Sequence, residues 1–213
     1  MNIVEPSYQI LDDIDPQAIL RKLELCGRVA YKSEDKITLD SAERFITAIL
    51  KRGHESVIEH VNPTVRFICD RGVTHEIVRH RLVAYTQEST RYCNYSKLGI
   101  TFIKPSFWYH EGHDYELYLK HWMAAMQKAE EVYNILITNG AKPEQARSVL
   151  PNSLKTEVVC TANLREWRHI MCLRTGRDAH PQMRQIMVPL LKELRVKLPV
   201  LFNDAGSVED NPL

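Results

Sequence analysis

A chain of 213 residues with 28 Lys and Arg against 27 Asp and Glu carries a formal net charge of +1, so its overall charge gives no reason to bind nucleic acid and any anion site must come from local clustering. At 44% hydrophobic and 26% charged residues it has the make-up of an ordinary globular protein, not of a disordered chain. The five cysteines are odd in number and never spaced C-x-x-C, which argues against a disulfide framework or a zinc site and leaves reduced thiols as the expectation.

In chain order, Asp15-Pro16 predicts the N-cap and first position of a helix whose apolar face is Ile19, Leu23, Cys26 and Ala30. Asp40 with Glu43 has the capping-box spacing of a second helix, which buries Phe45, Ile46, Ile49 and Leu50 and stops at Gly53. Residues 64–69 alternate and are β-rich, so they predict a strand; residues 70–81 predict a short helix capped by Asp70. A second strand is expected at 100–105, closed by Pro105. The longest helix, 114–138, carries Tyr115, Leu119, Trp122, Met126, Ala129, Tyr133 and Leu136 at alternating spacings of four and three, a seam for another helix or another subunit. A helical turn or two follows between Pro143 and Pro151, then a strand at 155–162. Asn163 with Glu166 opens the next helix, which ends near Gly176. Pro181 opens the last, with Ile186, Met187, Leu190, Leu191 and Leu194 facing inward and Pro189 expected to kink it. No repeat or Gly/Ser-rich linker interrupts the chain. The pattern predicts a helix-rich α+β single domain over 1–213, built around a small, mainly antiparallel sheet.

The chain contains no G-x-G-x-x-G, no G-x-x-x-x-G-K-[ST] and no G-x-S-x-G, so a nucleotide would have to be held by other means. "HEIVRH" is one residue too long for H-E-x-x-H: His75 and His80 are five apart and point about 140° away from each other on a helix, so no metal is expected. "GHESVIEH" (53–60) offers His54, Ser56, Glu59 and His60 after a helix stop and reads either as a polar capping loop or as a site loop.

"RHRLVAYTQESTRY" (79–92) gathers Arg79, His80, Arg81 and Arg91 with Ser89, Thr90 and Tyr92. Surface pairing at a helix end explains one or two of those arginines. Together they predict a phosphate or pyrophosphate ligand, because the guanidinium fork binds phosphate in bidentate fashion, with RNA backbone as the competing ligand. Arg147 lies in "ARSVLP", and Asn163, Arg165, Arg168, His169, Arg174 and Arg177 follow one another in "NLREWRHIMCLRTGR". Arg165 and His169 share a helix face. Arg174 follows Met171, Cys172 and Leu173, so apolar surroundings are expected for it, where a guanidinium stabilises a developing anion strongly.

These residues carry a resemblance. Arg79-His80-Arg81, seven residues and then Ser89 reproduce the R-H-R-x7-S signature of the flavin-dependent thymidylate synthases. "GHESVIEH", "ARSVLP" and "NLREWRHIMCLR" resemble further anchors of that family in order and spacing, from about residue 20 to 195. The resemblance implies a cytoplasmic enzyme that converts dUMP to dTMP, with 5,10-methylenetetrahydrofolate as carbon donor and NADPH reducing a bound FAD. It also implies a homotetramer with sites shared between subunits, giving the 114–138 seam a partner, and no nucleic acid or membrane. By matched position, Ser56, Arg79, His80, Arg81, Gln87, Asn163, Arg165 and His169 would contact FAD, with His54 near flavin and folate. Gln87, Glu88, Ser89, Thr90 and Arg91 would bind dUMP, with Glu76, Arg79 and Arg147 joining from neighbouring chains. Arg174 would act on the pyrimidine as the catalytic residue by favouring ionisation at N3, and no cysteine would attack the ring. Two departures stand out: many relatives carry Asn-Glu where this chain has Thr86-Gln87 before Glu88, and "LRTGRDAHPQ" is longer than in some, so Arg177 competes mildly with Arg174. An RNA-binding module and a flavoenzyme methylating uracil in RNA remain the alternatives.

Overall fold

The computed structural model describes residues 1–97, 99–105, 108 and 114–208. In chain order its elements are β1 (Asn2–Val4), β2 (Ser7–Ile10), α1 (Pro16–Val29), α2 (Ser41–Lys51), β3 (Thr64–Asp70), α3 (Arg71–Ile77), β4 (Ala84–Gln87), β5 (Thr101–Ile103), α4 (Tyr115–Thr138), α5 (Pro143–Ala146), β6 (Lys155–Thr161), α6 (Leu164–Arg174), α7 (Pro181–Lys197) and α8 (Pro199–Phe202). Single 3-10 turns cover Glu34–Lys36, Glu55–His60, Tyr95–Lys97 and Arg147–Val149.

The larger sheet has the order β2-β3-β6-β4 and is antiparallel throughout, while β1 and β5 pair in parallel beside it. This is the helix-rich, mainly antiparallel α+β class expected. The register of β3 on β6 sets Val65 opposite Cys160, Phe67 opposite Val158 and Cys69 opposite Thr156, all of them buried. That alternation turns one face of the sheet onto α1, α2, α6 and α7 to form the main core. On the other face Arg66 meets Glu157 at 2.6 Å.

A second, smaller core packs Ile100, Phe102 and Leu154 against Trp122, Met126 and Tyr133 of α4. The 114–138 seam, expected to pack on another helix or another subunit, is therefore covered at Trp122, Met126 and Tyr133 by its own chain. Leu117, Met123 and Ile135 lie outside that seam and stay exposed.

Three expectations are corrected. At α2 the Asp40 side chain makes no cap bond. It accepts from the Thr38 hydroxyl instead, while Ser41 Oγ turns back to the Thr38 amide and to buried Glu24. Ala30 is exposed and follows α1, whose buried stripe is Leu20, Leu23, Glu24 and Gly27. The helix expected over 70–81 ends at Ile77, so Arg79, His80 and Arg81 lie beyond it. Ala84–Gln87, inside the 79–92 stretch read only as a cluster of ligand-binding side chains, is strand β4 on the sheet edge. The strands β1 and β2 lie in a segment for which no element is expected from the pattern: each is short, and β1 is exposed along its length.

Candidate active site

α6 and the turn after α3 build the site. Asn163 Oδ1 accepts the Glu166 amide at 2.8 Å and caps α6, so the helix begins where the sequence marks it. Its last residue is Arg174. The turn after α3 is pinned by Tyr85 on β4, whose hydroxyl donates to the Ile77 carbonyl at 2.6 Å and the His80 carbonyl at 2.8 Å. Burial holds the Tyr85 phenol far above its ordinary pKa, so it serves as a donor.

These two elements meet at Arg174. Its Nε donates to His80 Nε2 at 3.0 Å, its Nη1 to Glu76 Oε2 at 3.0 Å and its Nη2 to the Glu76 carbonyl at 3.1 Å. The apolar surroundings expected for Arg174 are corrected by this: Cys172 and Leu173 face outward, and a carboxylate and an imidazole hold the guanidinium instead. Glu76, expected at the substrate, is a partner of Arg174 within the chain. Arg177 is exposed beyond the helix end.

His80 is only 6% exposed. Its Nδ1 lies 3.6 Å from Glu166 Oε1, and its ring meets His169 edge-on with centroids 5.9 Å apart. Burial first, then the charge of Arg174 and the neighbouring His169, lowers the His80 pKa to about 4. His80 is therefore a neutral acceptor at neutral pH and adds no cation to the R-H-R motif. Ligating atoms of His80, Glu166 and His169 lie within 4.8 Å of one another, but the Arg174 donor already engages one His80 ring nitrogen.

A cleft of about 780 Å³ opens along α6, lined among others by Asn163, Arg165, Glu166, His169 and Leu82. It brings together three of the expected flavin residues. Arg165 is paired there with Glu59 at 2.7 Å and Glu55 at 3.5 Å. Arg168 is forked onto Asp204, its Nη1 donating at 2.6 Å and its Nη2 at 3.0 Å, and it also donates to the Leu201 carbonyl. Arg79 and Arg81 are exposed, and so are His54 and Ser56 in and beside the turn that supplies Glu55 and Glu59.

The expected nucleotide loop lies at the far end of β4. Gln87 is turned inward and donates to Thr74 Oγ1 at 3.0 Å and Thr156 Oγ1 at 3.3 Å. Glu88 accepts from the Tyr95 hydroxyl at 2.7 Å and the Lys155 ammonium at 3.1 Å, and its amide donates to the Glu157 carbonyl. Burial works against the Lys155 charge, but Glu157 and Glu88 outweigh it and hold its pKa above the ordinary value. Ser89 Oγ accepts the Arg91 amide at 3.2 Å, and buried Thr90 accepts from Arg147 of the same chain at 3.1 Å. Arg91 lies over the Tyr92 ring, 5.3 Å from its centroid. The side chains of Gln87 and Glu88 thus organise the loop from within, leaving Ser89, Arg91 and Arg147 at its surface. Glu166 and Lys155 escape sequence reasoning as site residues because their partners His80 and Glu88 are distant in sequence, and Tyr85 because it acts through its hydroxyl on backbone carbonyls.

The cysteines are free. Burial pushes the Cys160 thiol up to about 12 and raises that of Cys69 too, so neither is an activated nucleophile.

Comparison with known proteins defines the class: the chain is similar over most of its length to thymidylate synthases, enzymes that methylate a nucleotide. The family model described as thymidylate synthase complementing protein matches residues 14–200. A flavin-dependent thymidylate synthase of Geobacter sulfurreducens is 31% identical over 90% of this chain and 83% of its own length. The one from Pyrococcus furiosus is 34% identical over 79% and 68%. A UMP/dUMP methylase of Streptomyces cacaoi, solved with 5-Br dUMP, superposes with a TM-score of 0.79 at 23% identity, covering 95% of this chain and 96% of its own. That last likeness shows the shared fold. The chain belongs to the flavin-dependent thymidylate synthase family.

Proposed function

We propose that the protein reductively methylates dUMP to dTMP, with FAD as cofactor, 5,10-methylenetetrahydrofolate as carbon donor and NADPH as reductant, in the cytoplasm. The observation that carries this reading is the fixed guanidinium of Arg174 at the end of the helix that lines the cleft. Arginine has five N–H donors. Three face His80 and Glu76, so two are left for the edge of a pyrimidine. Directed at a ring carbonyl and the adjacent N3, they favour the ionised ring, which is the better carbon nucleophile.

The cleft fits a flavin nucleotide by its donor set: Arg165 and His169 on one helix face, the Asn163 cap at its start, and Arg79 and Arg81 exposed nearby. When bound there, the flavin supplies the hydride that completes the methyl group. Arg165, Arg81, Ser56, His54 and His169 are the residues that would hold it there, with the two guanidiniums able to pair with its phosphates. Ser89, Arg91 and Arg147 hold the substrate phosphate, with the arginines forking onto its oxygens.

β4 lies between the turn that carries His80, the partner of Arg174, and Ser89, Thr90 and Arg91 of that loop. The separation favours completing each site with residues of a second copy, as in a homotetramer. Among the described residues no helix is long and apolar enough to cross a membrane.

Purified protein should be yellow with the visible absorbance of oxidised flavin and should convert dUMP to dTMP when supplied with the folate donor and NADPH. Colourless protein that takes up no added FAD overturns the reading. Reduced flavin perturbed by a polynucleotide and not by dUMP would move the substrate to RNA.

A further inference from the structure

Arginine Nε carries a proton and cannot accept a hydrogen bond. The 3.0 Å contact from Arg174 Nε to His80 Nε2 therefore fixes Nε2 as the unprotonated nitrogen. A neutral ring then has its proton on Nδ1, the atom that faces Glu166 Oε1 at 3.6 Å. Glu166 is 8% exposed and lies two turns before Arg174 on the same face of α6, so its carboxylate acts on the ring with little screening by water.

We infer that Glu166 is a positioning residue: it holds His80 in the Nδ1–H tautomer, and His80 in turn holds the Arg174 guanidinium in its working orientation. This rests on the reading of Arg174 as the residue that acts on the pyrimidine. A carboxylate opposite Nδ1 favours a proton on that atom, and the same geometry with the opposite tautomer would set two N–H groups head to head between His80 and Arg174. The other groups facing His80 point the same way. Arg174 and His169 disfavour a second proton on the ring, and Tyr85 donates to the His80 carbonyl and keeps the backbone in place. Glu76 on α3 fixes the two Nη atoms but leaves Nε free to rotate off line. The Nε contact is the one that depends on the tautomer.

Two measurements on the flavin-loaded enzyme test this. Neutron diffraction at neutral pH should place the His80 hydrogen on Nδ1; a hydrogen on Nε2 overturns the inference whatever the reaction turns out to be. In Glu166→Gln the amide can donate as well as accept, so the Nδ1 side no longer favours the proton and only the Arg174 contact selects the tautomer. The expected result is a kcat for dTMP formation lower by on the order of tenfold, with the KM for dUMP and the bound flavin unchanged within about twofold. The Gln variant retains the backbone amide capped by Asn163, and Glu166→Asp, which keeps the charge, should recover part of kcat. Normal kcat in Glu166→Gln, beside an inactive Arg174→Ala, overturns the positioning role while leaving the catalytic reading intact. Full activity in Arg174→Ala overturns the catalytic reading, and with it the role of Glu166. Stoichiometric divalent metal in the purified enzyme, lost in Glu166→Gln, would make Glu166 a ligand and overturn the inference as well.

Discussion

Arg174 shows how one side chain is fixed by groups that no local pattern announces. Its partners Glu76 and His80 lie 98 and 94 residues away, one on the last turn of α3 and the other in the turn that follows it. Removing the side chain in Arg174→Ala should lower dTMP formation by about a hundredfold or more, the cost of losing a preoriented charge donor, while flavin absorbance is retained. Arg174→Lys should be nearly as poor, because an ammonium has neither the Nε donor for His80 nor the fork for Glu76. Steady-state kinetics on flavin-loaded protein checks both. The anchors of this site were legible in the sequence: Arg79-His80-Arg81, Ser89, Arg147 and the α6 arginines stand in a family spacing. Their partners were not. The sequence neighbours Cys172 and Leu173 suggested an apolar setting for Arg174, but a helix turns those two side chains to a different face. His80, grouped in the sequence with the arginines as a ligand-binding residue, is buried and neutral because of what packs against it.

At the scale of elements, regular periodicity marks what is long and strongly amphipathic. α2, α6 and α7 start or bury where their caps and apolar spacings say, and β3 and β6 alternate as half-buried strands do. β1, β2 and β4 carry only three or four residues each, too few for alternation to stand out, and β4 is made by its pairing with β6. The α1–α2 junction is a further case, since its stripe includes a fully buried acid. Glu24 is held by Arg28 at 2.7 Å and by the Ser41 hydroxyl at 2.8 Å, and Arg28 lies 4.7 Å over the Phe45 ring. Arg28→Met keeps much of the packing but leaves that carboxylate buried and unpaired. We expect a loss of about 3–5 kcal/mol in denaturant unfolding. The double variant Glu24→Met/Arg28→Met should recover most of it, since the cost lies in the stranded charge. A double variant as unstable as the single one would show that packing of Arg28 on Phe45 dominates. Gly206, with φ +67° and a Cβ position 2.6 Å from Thr175 Oγ1, ties the segment after α8 to the end of α6. Thr175 Oγ1 there accepts the Ser207 amide and donates to the Met171 carbonyl. Gly206→Ala meets both backbone strain and overlap, so it should cost about 2 kcal/mol or more and lower the Tm in calorimetry.

Over the whole molecule, the same groups set how stability follows pH. His80 has a folded pKa of about 4 against an ordinary value of 6.5. Between these values the unfolded chain takes up a proton that the folded chain refuses, so stability falls as pH is lowered through this window. The contribution is fully present above pH 6.5 and gone below about pH 4, and it is at most about 3 kcal/mol for a shift of this size. Carboxylates act lower down. Asp204, held below its ordinary value by Arg168, and Glu157, held down by Lys155, give stability that is lost only as pH falls below the usual carboxylate range. Asp70 opposes them: burial raises its pKa, so acid stabilises the folded form around it. The loss of stability between pH 6.5 and 4 therefore comes from His80, with Asp70 opposing it from the acid side of that window. Urea unfolding at pH 7 and pH 5 should show a loss of stability in the wild type that is largely absent in His80→Asn, which starts less stable at pH 7 but titrates no proton there. An unchanged slope in His80→Asn would assign the pH dependence to another group and remove the case for a neutral, acceptor His80 behind Arg174.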